Sequence, residues 1–134
     1  MIVKTEAIVL SAMKFRDTSK IVRLYTKEFG KVSVIAKGAR DAKSKFRGGL
    51  EPTNHVACVI YRHSNRELQL LSQCDIVQSF RTLSDNLEKM FAALSAVELV
   101  DLVSHGEDEN QTLFTLLLNH IRVVNDATNH PVAA

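Results

Sequence analysis

Residues 19–37 read Ser19-Lys20-Ile21-Val22-Arg23-Leu24-Tyr25-Thr26-Lys27-Glu28-Phe29-Gly30-Lys31-Val32-Ser33-Val34-Ile35-Ala36-Lys37. Val22 and Leu24 alternate with Arg23, Tyr25 and Lys27, and Val32, Val34 and Ala36 alternate with Lys31, Ser33 and Lys37. Period-two alternation places one set against a core and the other toward solvent, the pattern of a half-buried strand. Gly30, directly after Phe29, suits a tight turn between two such strands. The stretch therefore reads as a β-hairpin with strands over 19–28 and 31–37. Residues 2–12 are rich in Ile, Val and Thr, as strands prefer. Residues 55–62 and 67–78 form a second pair across the polar link His63-Ser64-Asn65-Arg66. One longer irregular segment, 38–53, separates the third strand from the fourth. Five short strands with the long connection after the third predict an OB-fold, a five-stranded Greek-key barrel. An SH3-like barrel is the structural competitor.

Beyond residue 82 the period changes. Asp85 with Glu88 three positions later resembles a capping box. Leu87, Met90, Phe91, Leu94 and Val97 recur at three- and four-residue spacing, which predicts an amphipathic helix running to about Ser104. The loop His105-Gly106-Glu107-Asp108-Glu109 follows, with Asn110 as the cap of a second helix. Leu113, Leu116, Leu117, Ile121 and Val124 give that helix its apolar face, and Pro131 lies past its end. The expected architecture is mainly β with C-terminal helices: a barrel domain over 1–82 and the first two helices of a partial helical domain over 83–134. Two helices cannot bury two apolar faces by themselves. One packs on the barrel, and the remainder is the start of a larger helical domain or a surface for another chain.

The charge divides at the same point. Residues 1–82 hold fifteen Lys and Arg against seven Asp and Glu, a net of +8. Residues 83–134 hold two, Lys89 and Arg122, against eight, a net of −6. A basic half attracts polyanions, because neutralised phosphates release condensed counterions. Lysines kept only for solubility would not need the sign to reverse at one place in the chain.

Within the basic half, residues 37–49 carry Lys37, Arg40, Lys43, Lys45 and Arg47 against Asp41 alone, with three glycines that let backbone approach a ligand. Lysine binds phosphate as a point charge and arginine with a fork of donors. Phe46 either stacks a base or plugs the core beneath the loop. Lys14, Phe15, Arg16 and Lys20 form a second cluster, at the first inter-strand loop that helps build an OB-fold groove. Arg23, Tyr25 and Lys27 are a third, on the expected solvent face of the second strand. Tyr25 serves there either as a base-stacking ring or as ordinary strand packing.

Catalytic signatures are missing: the sequence has no phosphate-binding Gly-x-x-x-x-Gly-Lys-Ser/Thr loop and no Gly-x-Ser-x-Gly elbow. Cys58 and Cys74 lack metal-ligand spacing and are expected as small core residues. His105 and His120 are wrongly spaced for a metal, and Glu107-Asp108-Glu109 reads as a solvated loop. Neither a signal peptide nor a membrane-length apolar run is legible, so a cytoplasmic, nucleoid-associated, non-enzymatic protein without cofactor or metal is expected. Asn110-Gln111-Thr112, a glycosylation sequon by pattern, then has no meaning.

These residues resemble the RecO family of bacterial recombination mediators and DNA-repair proteins. The resemblance rests on Thr5-Glu6-Ala7-Ile8-Val9-Leu10, on Phe15-Arg16-Asp17-Thr18-Ser19-Lys20-Ile21-Val22 and on Tyr25-Thr26-Lys27-Glu28-Phe29-Gly30-Lys31-Val32. Its most specific part is Lys37-Gly38-Ala39-Arg40 through Lys43-Ser44-Lys45-Phe46, followed by Leu50-Glu51-Pro52. It implies an N-terminal OB-fold that binds single- and double-stranded DNA. It also implies annealing of strands coated by single-stranded-DNA-binding protein, and, with RecR, loading of RecA. It places DNA contact on Lys37, Arg40, Lys43, Lys45 and Arg47, and on Lys14 and Arg16. The reading from another class is a protein-interaction module that docks a partner through its acidic helices.

Overall fold

The computed structural model describes residues 1–46, 48–63, 66–80, 83, 85–104 and 111–126. Five strands, β1 (Ile2–Phe15), β2 (Ser19–Thr26), β3 (Gly30–Ala36), β4 (His55–Tyr61) and β5 (Leu68–Gln78), precede helices α1 (Leu87–Val103) and α2 (Gln111–Asp126). The strands close in the order β1-β2-β3-β5-β4, with β3 and β5 parallel and all other pairs antiparallel. This is the expected OB-fold barrel followed by two helices. The long β1 makes closure possible: Ile2–Ile8 pair with β4 while Ala7–Phe15 pair with β2. Gly30 turns the hairpin at φ +69°, a left-handed conformation that favours glycine.

Inside the barrel lie Ala7, Val9, Val22, Leu24, Val32, Val34, Val56 and Ile60 with Phe46 and Leu50 from the β3–β4 connection. Cys58 and Cys74 face each other across β4 and β5 as free thiols in this core, their Sγ atoms 3.9 Å apart. The Cys58 thiol donates to Cys74, and this bond together with burial pushes the Cys58 pKa up, so its proton is held.

The helices pack on the outside of the barrel. Ile8, Leu10 and Tyr25 project outward and share a second core with Ala93, Val97 and Val100 of α1 and Phe114, Leu117, Leu118 and Ile121 of α2. Asn86, not Asp85, caps α1, accepting from the Lys89 amide at 3.1 Å. Its buried face also differs from the expectation: Leu87 and Phe91 are exposed, while Ala93, Val97 and Val100 are covered. Apolar residues surround α1 almost completely, so spacing alone does not select a face. Small Ala93 permits close approach to the barrel, and Asp101, on the same side, meets Lys31 at 3.3 Å and Arg23 at 3.3 Å. In α2 Leu116 is likewise exposed, and Phe114 and Leu118 take its expected place in the core. The Asn110 cap, the 105–109 loop and Pro131 lie outside the described residues.

Candidate nucleic-acid interface

Strand register assembles a face that no contiguous stretch of sequence displays. Met13 pairs with Ile21, Ile21 with Ile35, Ile35 with Leu70, and Leu70 with Tyr61. All five sit at outward positions, since their neighbours Val22, Val34, Ile60 and Leu71 fill the barrel core. Strands tilt in a closed barrel, so such a rung runs diagonally across one side rather than straight around it. Four inter-strand steps of about 4.8 Å make it about 19 Å long. Met13 and Tyr61 are exposed, and Ile21, Ile35 and Leu70 are half-buried. The open rung is an apolar floor with an aromatic ring at one end.

Cations stand at the end of the barrel next to this floor. Lys37, two residues after Ile35, is exposed on the same face, whereas Lys14 stands directly opposite Lys20, and Lys20 opposite the core residue Ala36, on the alternate face of the strands at the barrel's mouth. Like charges facing across an antiparallel pair destabilise it, and a bound anion would relieve the repulsion. The β1–β2 turn brings Arg16 to the same end, at φ +54° with its guanidinium carbon 4.9 Å from the Phe15 ring centroid. The β3–β4 connection folds back onto this turn. The Arg40 amide donates to the Thr18 carbonyl at 2.8 Å, and its guanidinium donates to the Arg16 carbonyl at 2.7 Å and to the Asp17 carbonyl. Gly38, at φ +70°, starts the bend, and an added Cβ there would lie 3.3 Å from an Asp41 carboxylate oxygen. Lys43 and Lys45 remain exposed on the connection.

The geometry thus gathers Lys14, Arg16, Lys20 and Lys37 around one end of the barrel, with Lys43 and Lys45 exposed on the connection that leaves it. It removes others from the expected surface. Tyr25 is only 2% exposed, under the helices, so ordinary packing accounts for it and it offers no ring to a base. Phe46 is 3% exposed and plugs the barrel core, with its amide donating to Ser44 Oγ at 3.0 Å. Arg40 turns one guanidinium nitrogen, Nη2, onto two backbone carbonyls and ties two loops together. Arg23 is divided between Asp101, at 3.3 Å, and Ser11 Oγ, at 3.1 Å. Lys27 lies 3.8 Å from Glu6. Arg47 lies outside the described residues. Met13, Ile21, Ile35, Leu70 and Tyr61 do not stand out in the sequence. The signal available is Ile21 and Ile35 at positions whose alternation partners, Arg23 and Ser33, face outward.

Among the described residues no group of three or more His, Cys, Asp or Glu is placed to hold a metal, and no helix is long and apolar enough to cross a membrane.

Over residues 1–80 the sequence matches the family profile described as "Recombination protein O N terminal". The chain belongs to the RecO family. It is 44% identical over 117 residues to the "DNA repair protein RecO" of Chlorobaculum parvum, covering 87% of this chain and 45% of that relative. To the protein of the same description from Salinibacter ruber it is 40% identical over 126 residues, covering 94% of this chain and 48% of the relative. The chain therefore spans about half the length of the RecO relatives it matches, and the match includes both the barrel and the helices packed on it.

Proposed function

We propose that this chain carries the nucleic-acid-binding part of a recombination mediator. In this reading the barrel, residues 1–82, binds DNA on its open face, and residues 83–134 begin a helical domain. The carrying observation is the register-built rung Met13–Ile21–Ile35–Leu70–Tyr61 with Lys37 on its face and the Lys14–Lys20 pair at the adjoining mouth of the barrel. Its parts match what sequence-independent binding of single strands requires: cations for the phosphates and apolar or aromatic surface for the bases.

The mechanism is electrostatic and non-catalytic. Lys14, Arg16, Lys20, Lys37, Lys43 and Lys45 neutralise phosphates on one strand. Reduced repulsion then lets a complementary strand approach, and sequence is read by base pairing between the strands. Duplex binds the same cations more weakly, because its bases are turned away from the apolar floor. Membership in the RecO family extends the proposal to annealing of strands covered by single-stranded-DNA-binding protein and, with RecR, to loading of RecA in cytoplasmic recombinational repair.

Anisotropy titration of a labelled single strand at two salt concentrations tests the binding step. The expected result is affinity that falls steeply with salt and varies little with sequence. Binding that ignores salt, or no binding at low salt, would overturn it.

A second reading, a protein-docking module, is favoured by one feature: α1 leaves Leu87, Phe91, Leu99 and Leu102 exposed on an acidic helical half. It predicts a stoichiometric protein complex that persists after nuclease treatment.

A further inference from the structure

The end of the open rung near Tyr61 is shaped differently from the rest. Between β3 and the start of β5 lies a groove of about 360 Å³, lined by Ile35, Leu70, Tyr61, Lys37, His63 and Arg66. Ile35 and Leu70, paired across the parallel β3–β5 ladder, make its apolar floor. Tyr61 is 38% exposed, against 2% for the other tyrosine, Tyr25. Lys37 and Arg66 are exposed on the groove's margin. The groove is held in shape from beneath. Gln69, 3% exposed, accepts from the His63 amide at 2.7 Å and donates to the His63 carbonyl at 2.9 Å and the Arg66 carbonyl at 2.7 Å. Its amide is engaged in tying His63 and Arg66 to the start of β5.

We infer that this groove is a subsite for one unpaired nucleobase, stacked on the Tyr61 ring over Ile35 and Leu70, with Lys37 and Arg66 holding the flanking phosphates. The inference rests on the open-face reading above and adds the element that separates single strands from duplex. A π-face contact accepts any base, which suits a protein that does not read sequence. A paired base has both faces covered by its neighbours in the stack, so duplex cannot use the subsite without unstacking. The cations remain available to either form, since phosphates are exposed in both.

Two substitutions at Tyr61 test this in the full chain. The sequence contains no tryptophan, so Tyr61→Trp introduces a single indole reporter. Its fluorescence should be quenched on adding an oligothymidylate and unchanged on adding a blunt duplex of the same length. Tyr61→Ala should weaken single-strand affinity about fivefold to a hundredfold, the range for removing one base–aromatic stack. Duplex affinity and both salt slopes should stay unchanged, and Tyr61→Phe should restore single-strand binding. If the unaltered protein binds single strands but Tyr61→Ala leaves that affinity unchanged, or lowers single-strand and duplex affinity alike, the subsite is wrong while the open-face reading stands. If the unaltered protein binds neither nucleic acid, the open-face reading fails, and the subsite with it.

Discussion

Two rungs of one barrel, a few residues apart on the same strands, meet opposite fates. The rung Met13–Ile21–Ile35 is open to solvent. The rung Ile8–Tyr25–Lys31 is roofed by α1 and α2. Both present outward side chains from β1, β2 and β3, and both carry apolar residues where a solvated sheet would carry polar ones. The covered rung is fastened at its edges: Lys31 and Arg23 pair with Asp101 of α1, and the His55 ring meets Phe114 of α2 edge-on at 6.0 Å. His55 also lies 2.7 Å from Glu6. The open rung has Lys37 on its face and further cations at the adjoining barrel mouth instead of a fastened helix. An outward apolar residue on this barrel therefore has two meanings, and only the tertiary partner distinguishes them.

Substitutions on the two rungs should differ in what they cost. The largest effect should come from Tyr25→Ala, which empties a fully buried site under the helices. Stability in urea unfolding should fall by about 3–5 kcal/mol, whereas Tyr61→Ala should cost no more than about 0.5 kcal/mol. Equal costs would mean that Tyr61 is packed as Tyr25 is. Next in size is the joint change of Lys14, Lys20, Lys37 and Lys43 to Glu. Single-strand affinity should drop about a hundredfold or more at low salt, with the fold retained by circular dichroism. Removing each phosphate-binding cation should also flatten the slope of log K against log salt by roughly 0.7. Four glutamates introduced instead at exposed α2 positions, by Thr112→Glu, Thr115→Glu, Asn119→Glu and His120→Glu, should change neither quantity.

The strands were legible because alternation is a local signal. All five lie close to the segments read from the sequence, and β1 runs three residues further, to Phe15. The open rung was not legible, because it joins positions 13, 21, 35, 70 and 61 through pairings that a single strand does not encode. A bulge hid it further. Register shifts between Val9 and Ser11, so Ala7 and Val9 point inward while Met13, of the same parity, points outward. Simple alternation from Ala7 would have placed Met13 in the core. Tyr25 escapes a local reading for the complementary reason. Nothing in residues 19–37 shows that a helix beginning at Leu87 will lie over it. Arg40 has the composition of a phosphate ligand, and only the fold shows its guanidinium turned onto the β1–β2 turn. The basic connection itself was legible from composition, because a run of lysines with glycines needs no tertiary information to stay exposed.

Two smaller effects refine the boundary between the rungs. Asp101→Asn should lower stability by about 1–2 kcal/mol, since Lys31 and Arg23 are deprived of a shared charged acceptor, and single-strand binding should not weaken. A marked fall in affinity would place the helix edge within the interface. Arg40→Lys should cost less than about 1 kcal/mol, because both carbonyls are met by the single nitrogen Nη2 and an ammonium keeps donors for at least one of them. Amides of residues 38–46 should nevertheless exchange faster with deuterium. Unchanged exchange would mean that Phe46 alone anchors the connection.

The most direct test is an amide chemical-shift map of the ¹⁵N-labelled chain titrated with a short single strand. Shifts are expected along the open rung and the adjoining barrel mouth, at Met13, Lys20, Ile21, Ile35, Lys37, Tyr61 and Leu70. Leu117 and Ile121 of α2 and Tyr25 beneath them should stay still. Shifts concentrated on the helices, with the open rung silent, would contradict binding at the open rung.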